Sequence, residues 1–133
     1  MLGELIGETT GKMSGQRVID LEGPTTETNV SSIGTLRGIS VTQMLTYVAG
    51  QTSKGIIHGI GKGIISTEDG EIATFTGEGI GRFDSTGGLK WRGAMFFHTS
   101  SAGKLEFLNN VVGVFESNVD TSGNFTDKIW EWK

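Results

Sequence analysis

Apolar and polar residues alternate along the chain, most clearly from residue 54 to the C-terminus, in segments of about ten residues. Short loops that contain glycine at or near their ends separate the segments: Glu68-Asp69-Gly70, Asp84-Ser85-Thr86-Gly87-Gly88, Ser101-Ala102-Gly103 and Thr121-Ser122-Gly123. Three loop residues with glycine last are typical of a type I turn followed by a G1 bulge, which closes a β-hairpin. No segment repeats apolar residues at helical spacing. The pattern therefore predicts a series of antiparallel hairpins.

The type of a turn fixes the register of the two strands that it joins, so the facing residue pairs can be predicted. The predicted pairs are Ile65–Ala73 and Gly63–Phe75 across the first loop, Phe83–Leu89 and Gly81–Trp91 across the second, Phe97–Phe107 and Met95–Asn109 across the third, and Phe115–Ile129 and Gly113–Glu131 across the last. The first three turns, taken independently, place the same odd-numbered residues on one face.

We expect this odd-numbered face to line the inside of the fold because it is apolar and rich in glycine. Large residues opposite glycines suit a small barrel, in which inward side chains must alternate in size. The predicted cavity-lining residues are Gly61, Phe75, Gly77, Gly79, Trp91, Met95, Phe97, Phe107, Val111 and Phe115. The missing glycine side chains leave volume that either a ligand or a residue such as Trp91 must fill, and the sequence leaves both alternatives open.

The N-terminal half has a weaker pattern. Residues 2–9 and 12–22 form either one long bent strand or two short ones, hinged near Gly11 or Gly15, and residues 25–37 and 39–49 add two more strands. The total is about eight, at which a barrel interior just fills or holds one small ligand. The sequence predicts an all-β, closed antiparallel up-and-down barrel of lipocalin-like type, with residues 1–133 as one domain. An open β-sandwich is the alternative.

Composition excludes several functional classes. Glycine accounts for 22 of the 133 residues and proline for one, and there is no cysteine, which excludes thiolate metal sites, disulfides and thiol nucleophiles. The formal net charge is −4 and the 11 Lys and Arg residues are scattered, so we expect no nucleic acid partner. No stretch approaches the roughly 18 apolar residues of a membrane span. Without a recognisable targeting signal, we expect a cytoplasmic protein.

Five runs of residues carry a family resemblance: 55–63 (GIIHGIGKG), 76–81 (TGEGIG), 91–93 (WRG), 108–116 (LNNVVGVFE) and 129–133 (IWEWK). Together they resemble small uncharacterised prokaryotic proteins of the allene oxide cyclase-like β-barrel superfamily. The resemblance implies an eight-stranded antiparallel barrel and a homo-oligomer. Allene oxide cyclase itself cyclises a fatty-acid epoxide in an apolar barrel cavity, but its polar site residues match no positions here. The resemblance therefore implies a cavity and not a reaction.

Residue types that carry chemistry are few. The alternating glycines lie inside two predicted strands, whereas a phosphate-binding loop needs them between a strand and a helix N-terminus. The two histidines, His58 and His98, fall on the face opposite the apolar one, and His98 is predicted to pair with Glu106. We therefore expect surface histidines, with no metal site, no cofactor and no catalytic triad.

Two polar residues, Glu131 and Asn109, are predicted to face inward near Trp91. A carboxylate in an apolar barrel has a raised pKa and can act as an acid or a base. The favoured alternative is that Glu131 lies solvated at the barrel mouth or pairs with Arg17. Tyr47, the only tyrosine, has no clear position.

The even-numbered face is too apolar for a wholly solvated exterior, and large apolar patches with aromatic centres mark interfaces. The predicted interface residues are Ile60, Ile80, Phe96, Val112, Trp130 and Trp132. The alternative is that another part of the chain covers them. We favour self-association into a homo-oligomer.

Two functions are compatible with these observations. The first is a non-enzymatic oligomeric barrel that binds a small apolar or amphipathic molecule in its interior, or serves as a structural module. The alternative is a cofactor-independent isomerase or cyclase in the barrel mouth, with Glu131 as the acid or base and Asn109 as a polar anchor. We favour the first because no recognisable set of catalytic residues is present.

Overall fold

A computed structural model describes residues 3–133 as a closed barrel in which every strand is antiparallel to its neighbours. The eight strands are β1 (Leu5–Asp20), β2 (Thr25–Leu36), β3 (Ile39–Ser53), β4 (Ile56–Ser66), β5 (Ile72–Phe83), β6 (Leu89–His98), β7 (Val112–Val119) and β8 (Asn124–Glu131). They follow one another around the barrel, and β8 closes it by pairing with β1. The predicted up-and-down barrel is confirmed, and the open sandwich is wrong.

The N-terminal segment forms one long strand, as one of the two predicted alternatives proposed. β1 carries register irregularities between Met13 and Gly15 and between Val18 and Asp20, which place its bend near the predicted hinge at Gly15. The predicted start of this strand, Leu2, lies outside the described residues. Between β2 and β3, Arg37 and Gly38 both have positive φ (48° and 78°), as a two-residue hairpin turn of type I′ requires.

Turn geometry sets the predicted register at three of the four glycine-containing loops. In the loop between β4 and β5, the Gly70 amide donates to the Thr67 carbonyl oxygen (3.1 Å), and Gly70 has a φ of +92°. Glycine reaches this left-handed conformation without steric cost. All the predicted pairs across the first, second and last loops are present, among them Gly63–Phe75 and Phe115–Ile129.

The predicted hairpin at residues 101–103 is wrong. Met95 pairs with Gly113 instead of Asn109, so the register between β6 and β7 differs by four residues from the prediction. An even shift leaves every side chain on its predicted face, so the odd-numbered residues of β6 and β7 still point inward. Residues 99–111 leave the sheet as a long loop that includes a short 3₁₀ helix, Glu106–Leu108. Glu106 consequently lies in this loop and does not pair with His98, whose strand partner is Thr74 on β5.

A carboxylate from another turn explains this long loop. Glu71, directly before β5, accepts hydrogen bonds from the Ser101 hydroxyl and from the backbone amides of Lys104 (2.9 Å) and Leu105 (3.1 Å). These donors lower the pKa of the Glu71 carboxyl. Because Glu71 holds residues 101–105 against the β4–β5 turn, they are not available to close a tight hairpin.

The long loop closes one end of the barrel. The side chains of Leu105 and Leu108 are fully buried and pack with Ile6, Leu36 and Phe97 in the main apolar core.

The opposite end of the barrel, where the β1–β2, β3–β4, β5–β6 and β7–β8 turns meet, forms a depression of about 410 Å³. We call this depression the mouth. The mouth therefore lies at the end of the barrel opposite the packed core. Within residues 3–133, no helix has the length and apolarity needed to cross a membrane.

Candidate functional site

A cavity of about 100 Å³ lies inside the barrel between the packed closed end and the mouth. Its wall is formed by Thr9 from β1, Gln43, Leu45 and Tyr47 from β3, Gly59 and Gly61 from β4, Phe75, Gly77 and Gly79 from β5, Trp91 and Met95 from β6, Phe115 and Ser117 from β7, and Phe125, Asp127 and Ile129 from β8. This volume holds a few water molecules or the head group of one small ligand. The cavity is the candidate functional site.

Aromatic rings fill most of the space that the interior glycines leave. A Cβ atom added at Gly59 would lie 2.7 Å from the Trp91 ring, and one added at Gly79 would lie 3.2 Å from the Phe115 ring. Gly61 and Gly77 face each other across β4 and β5 and border the space that remains. Both alternatives from the sequence therefore hold in part, because Trp91 occupies some of the glycine volume and a small cavity persists beside it.

Asp127 brings a carboxyl group to the cavity from β8. Its Oδ2 atom accepts a hydrogen bond from the buried Thr9 hydroxyl (3.0 Å), and the buried Ser117 side chain lies beside it on β7. Burial raises the pKa of the Asp127 carboxyl, and the Ser117 and Thr9 hydroxyls offset only part of that effect. The carboxyl group thus occupies a poorly solvated position without a cationic partner among the residues that the structure describes.

Tyr47 separates the cavity from the mouth and lines both. Its ring packs edge-on against Trp91, with ring centroids 5.4 Å apart and an interplanar angle of 75°. Burial raises the pKa of the Tyr47 phenol, the charge on Asp127 adds to this, and Thr28 and Trp91 act in the opposite direction. Tyr47 therefore remains a neutral hydrogen-bond donor at physiological pH.

Several polar atoms of the wall lack hydrogen-bond partners. Among the described residues, buried atoms without a partner are the Gln43 Oε1, Trp91 Nε1, Ser117 Oγ and Ser32 Oγ atoms, and the first three belong to the cavity wall. Trp91 and Ser117 lie close enough to Tyr47 and Asp127 to affect their pKa values, but outside good hydrogen-bond geometry. A buried polar group without a partner costs about 1–3 kcal/mol, so these atoms are available to a polar ligand.

The predicted cavity residues divide into two groups. Gly61, Phe75, Gly77, Gly79, Trp91, Met95 and Phe115 line the cavity. Phe97, Phe107 and Val111 lie in the core at the closed end, with Phe97 fully buried and the other two packed against the core. Phe107 and Val111 are displaced from the predicted positions because the long loop removes them from the β6–β7 hairpin.

Glu131 and Asn109 lie away from the cavity, at the closed end. Glu131 forms a salt bridge with Arg37 (2.7 Å), which also contacts Glu4 (2.8 Å). The expected partner, Arg17, bonds Glu27 instead. Asn109 is exposed, and its Oδ1 atom accepts a hydrogen bond from the Thr99 amide (3.3 Å).

The prediction that Asn109 faces inward near Trp91 is wrong, because Trp91 pairs with Ser117. The geometry therefore gives neither Glu131 nor Asn109 a position from which to act on a molecule in the cavity.

Sequence reasoning missed the polar part of the wall. The register predicted for the last hairpin, which pairs Phe115 with Ile129, also pairs Ser117 with Asp127 on the same inward face. That signal was sufficient to find Asp127. Gln43 and Thr9 carried no such signal, because the turns of the N-terminal half gave no predicted register.

The outer face carries the residues predicted to form an interface. Ile60, Ile80, Phe96 and Trp132 are exposed, with 56%, 38%, 47% and 56% of their surfaces accessible, whereas Val112 and Trp130 are half-buried. Strand pairing places Phe96 beside Val112. His58 lies on the same face and bonds Glu78 (2.7 Å). Among the described residues, no group of three or more His, Cys, Asp or Glu side chains is placed to hold a metal ion.

Comparison with known proteins places this geometry among barrels of the same shape. No protein-family model and no curated protein sequence matches the chain. A protein with unknown function from Clostridium acetobutylicum has a similar structure, with a TM-score of 0.83, 14% identity and coverage of 100% of both chains. A conserved protein of unknown function from Rhodopseudomonas palustris has a TM-score of 0.78 and 13% identity, over 98% of this chain and 97% of that one.

The shared feature is the fold. At these identities the likeness does not extend to individual site residues or to an activity. Neither protein is described as an allene oxide cyclase, so the resemblance to that superfamily stays a prediction.

Proposed function

We propose that this barrel binds a small amphipathic molecule in its interior cavity. The observation that carries the proposal is the composition of the wall, where buried polar atoms without partners lie beside aromatic rings. An apolar pocket with a few convergent polar groups is the usual form of a small-molecule site. The polar groups at Asp127 and Gln43 would orient the ligand, and the rings of Trp91 and Phe115 would contact its apolar part.

The position of the mouth supports the entry of a ligand from one end of the barrel. Its wall includes the apolar side chains of Ala49, Ile57 and Leu89, and it meets the cavity at Tyr47. The cavity alone is too small for a drug-sized molecule, for which pockets of about 300–1,000 Å³ are usual. A ligand would therefore place its polar head in the cavity and extend its apolar tail past Tyr47 into the mouth.

The test is an NMR titration with 1-butanol, a short neutral amphiphile. We expect saturable shifts of the backbone amides of Gly61 and Gly77. A Gly77→Ala variant should weaken binding, because its methyl group enters the cavity with no atom closer than 3.2 Å to resist it. Gly15→Ala, where the nearest atom is 3.4 Å away on the β1–β2 pair, is the matched control. Shifts confined to the outer face, or equal binding by both variants, would contradict the proposal.

We also propose that the outer face joins this chain to a second copy. Exposed apolar side chains continue across β3 and β4, where Met44 pairs with Ile64 and Val48 pairs with Ile60. An exposed apolar patch of this kind can pack against the same patch on a second copy. We expect sedimentation above monomer mass at micromolar concentration, and dissociation on Ile60→Glu. A wild-type monomer would refute this proposal and leave the cavity proposal intact.

A further inference from the structure

The charge in the cavity has one sign. Asp127 is the one acidic side chain that turns into the cavity among residues 3–133, and no Lys, Arg or His side chain turns into it. Lys62 and Glu78 border the cavity, but they occupy even-numbered positions whose side chains are exposed on the outer face, where Glu78 bonds His58. A buried carboxylate without a counter-charge is unfavourable, and a cation that enters the cavity removes that cost.

The rest of the wall suits the same kind of ligand. Five aromatic rings border the cavity, from Tyr47, Phe75, Trp91, Phe115 and Phe125. The negative faces of aromatic rings attract organic cations, and desolvation strengthens the attraction. Aromatic walls around a single carboxylate are therefore chemically complementary to an ammonium group attached to an apolar body.

Hydrogen-bonding capacity favours a donor-rich head group. The free Gln43 Oε1 atom and the Asp127 carboxylate are acceptors, and the Ser117 hydroxyl can accept as well, whereas the free Trp91 Nε1–H is a donor. An ammonium group offers up to three N–H donors and no acceptor, which matches the three acceptors and leaves the Trp91 N–H to another partner. A carboxylate or phosphate head group would instead face Asp127 with no cation to balance either charge.

We infer that the cavity selects small organic ammonium ions, with Asp127 as the counter-charge and the surrounding aromatic rings as the walls. The inference rests on the proposed function, since it names the chemical class of ligand for the same cavity. The apolar tail of the ammonium ion extends past Tyr47 toward the mouth. Anionic amphiphiles, including fatty acids, are excluded by the same charge.

The experiment compares three probes of equal length: butylammonium, 1-butanol and butyrate. NMR titration at pH 7.5, following the Gly61 and Gly77 amides, measures the three dissociation constants. We expect butylammonium to bind at least tenfold more tightly than 1-butanol and butyrate to bind most weakly. Equal affinity for butylammonium and 1-butanol would overturn the inference and leave the proposed function standing. Failure of both to shift the cavity amides would overturn both.

Asp127→Asn tests the counter-charge. This substitution keeps an oxygen acceptor for Thr9 and removes the charge, so the tenfold preference for butylammonium over 1-butanol should disappear. The control is Glu116→Gln, which removes the same charge from an exposed outer position beside Arg92 (3.4 Å). If both variants keep the preference, or both lose it equally, Asp127 is not the counter-charge.

The pH dependence of wild-type binding provides a test that needs no variant. The groups that face Asp127 are the Thr9 and Ser117 hydroxyls and the Tyr47 phenol, of which only Tyr47 titrates, and burial keeps it neutral. Glu8 of β1 and Lys128 of β8 pair with each other on the outer face (3.8 Å). Butylammonium affinity should therefore fall with acid as Asp127 protonates, while 1-butanol affinity stays constant. A butylammonium affinity that is independent of pH down to pH 4 would refute the inference.

Discussion

Replacing Gly93 by alanine tests how closely the barrel wall is packed around the cavity. Gly93 lies on β6 between Gly79 of β5 and Phe115 of β7. A Cβ atom at this position would overlap the Glu78 carbonyl oxygen, and it would lie 2.8 Å from both the Gly79 Cα atom and the Phe115 Cε1 atom. Two of these three atoms belong to the backbone of a paired strand. The methyl group therefore cannot be accommodated by a change of rotamer.

The expected loss of stability follows from these distances. Overpacking usually costs about 1–3 kcal/mol, and backbone overlap places Gly93→Ala at the upper end of that range. Alanine also reduces the entropy of the unfolded chain, which returns about 0.4–1 kcal/mol. The net destabilisation is then about 2–2.6 kcal/mol. For a domain of this size, that lowers the melting temperature by roughly 6–13 °C.

The assay is thermal unfolding followed by circular dichroism, with two other glycine variants for comparison. At Gly77 the nearest atoms to a new Cβ are the Ala94 carbonyl oxygen (3.2 Å) and the Met95 Cγ atom (3.5 Å), so Gly77→Ala should lie within about 1 kcal/mol of wild type. At Gly15 the nearest atom is 3.4 Å away, and alanine should be neutral or slightly stabilising. If Gly93→Ala and Gly15→Ala melt at the same temperature, the backbones of β5 and β6 do not approach each other as closely as these distances indicate.

Two further predictions concern carboxyl groups. Burial raises the pKa of Asp127 in the folded state, so ionisation of this carboxyl group destabilises the fold at pH values above its ordinary pKa and has no effect below it. Asp127→Asn should therefore be more stable than wild type at pH 8 and should lose that advantage toward pH 4. Urea unfolding at both pH values measures the difference in unfolding free energy between the variant and wild type, which should be about 1.4 kcal/mol for each unit by which the pKa is raised. The prediction is wrong if the variant gains less stability over wild type at pH 8 than at pH 4. Glu71→Gln should weaken the attachment of the long loop and speed hydrogen exchange of the Lys104 and Leu105 amides, while Glu68→Gln in the same turn should not. Unchanged exchange in the Glu71 variant would show that the buried leucines alone hold the loop.

The sequence was sufficient to predict the fold wherever local turn chemistry sets the register. The glycines at positions 70 and 123 determine how β5 and β8 pair with the strands before them, and the odd-numbered face follows directly. Because the parity of a strand decides which face is buried, even the wrong register at residues 101–103 left Trp91 and Met95 pointing inward. The face of the sheet on which a residue lies is therefore more predictable than the residue with which it pairs.

The remaining features depend on contacts between residues that are distant in the sequence. Ser101-Ala102-Gly103 has the composition of a hairpin loop, but the carboxylate of Glu71, 30 residues before Ser101, holds it against the β4–β5 turn. The size of the cavity likewise depends on whether the Trp91 ring turns over Gly59, which no local pattern specifies. Alternation of residue types predicts which side chains face inward, but it does not predict how those side chains share the interior.

Stability alone does not explain the carboxyl group at position 127. Its neighbours along β8, Phe125 and Ile129, are buried apolar residues, and an apolar residue between them would avoid the desolvation that raises the pKa of Asp127. The Thr9 hydroxyl offsets only part of this effect. A cationic ligand would supply the missing counter-charge, and its binding would then stabilise the fold in proportion to its affinity. The destabilising residue and the proposed ligand class are thus explained by the same interaction.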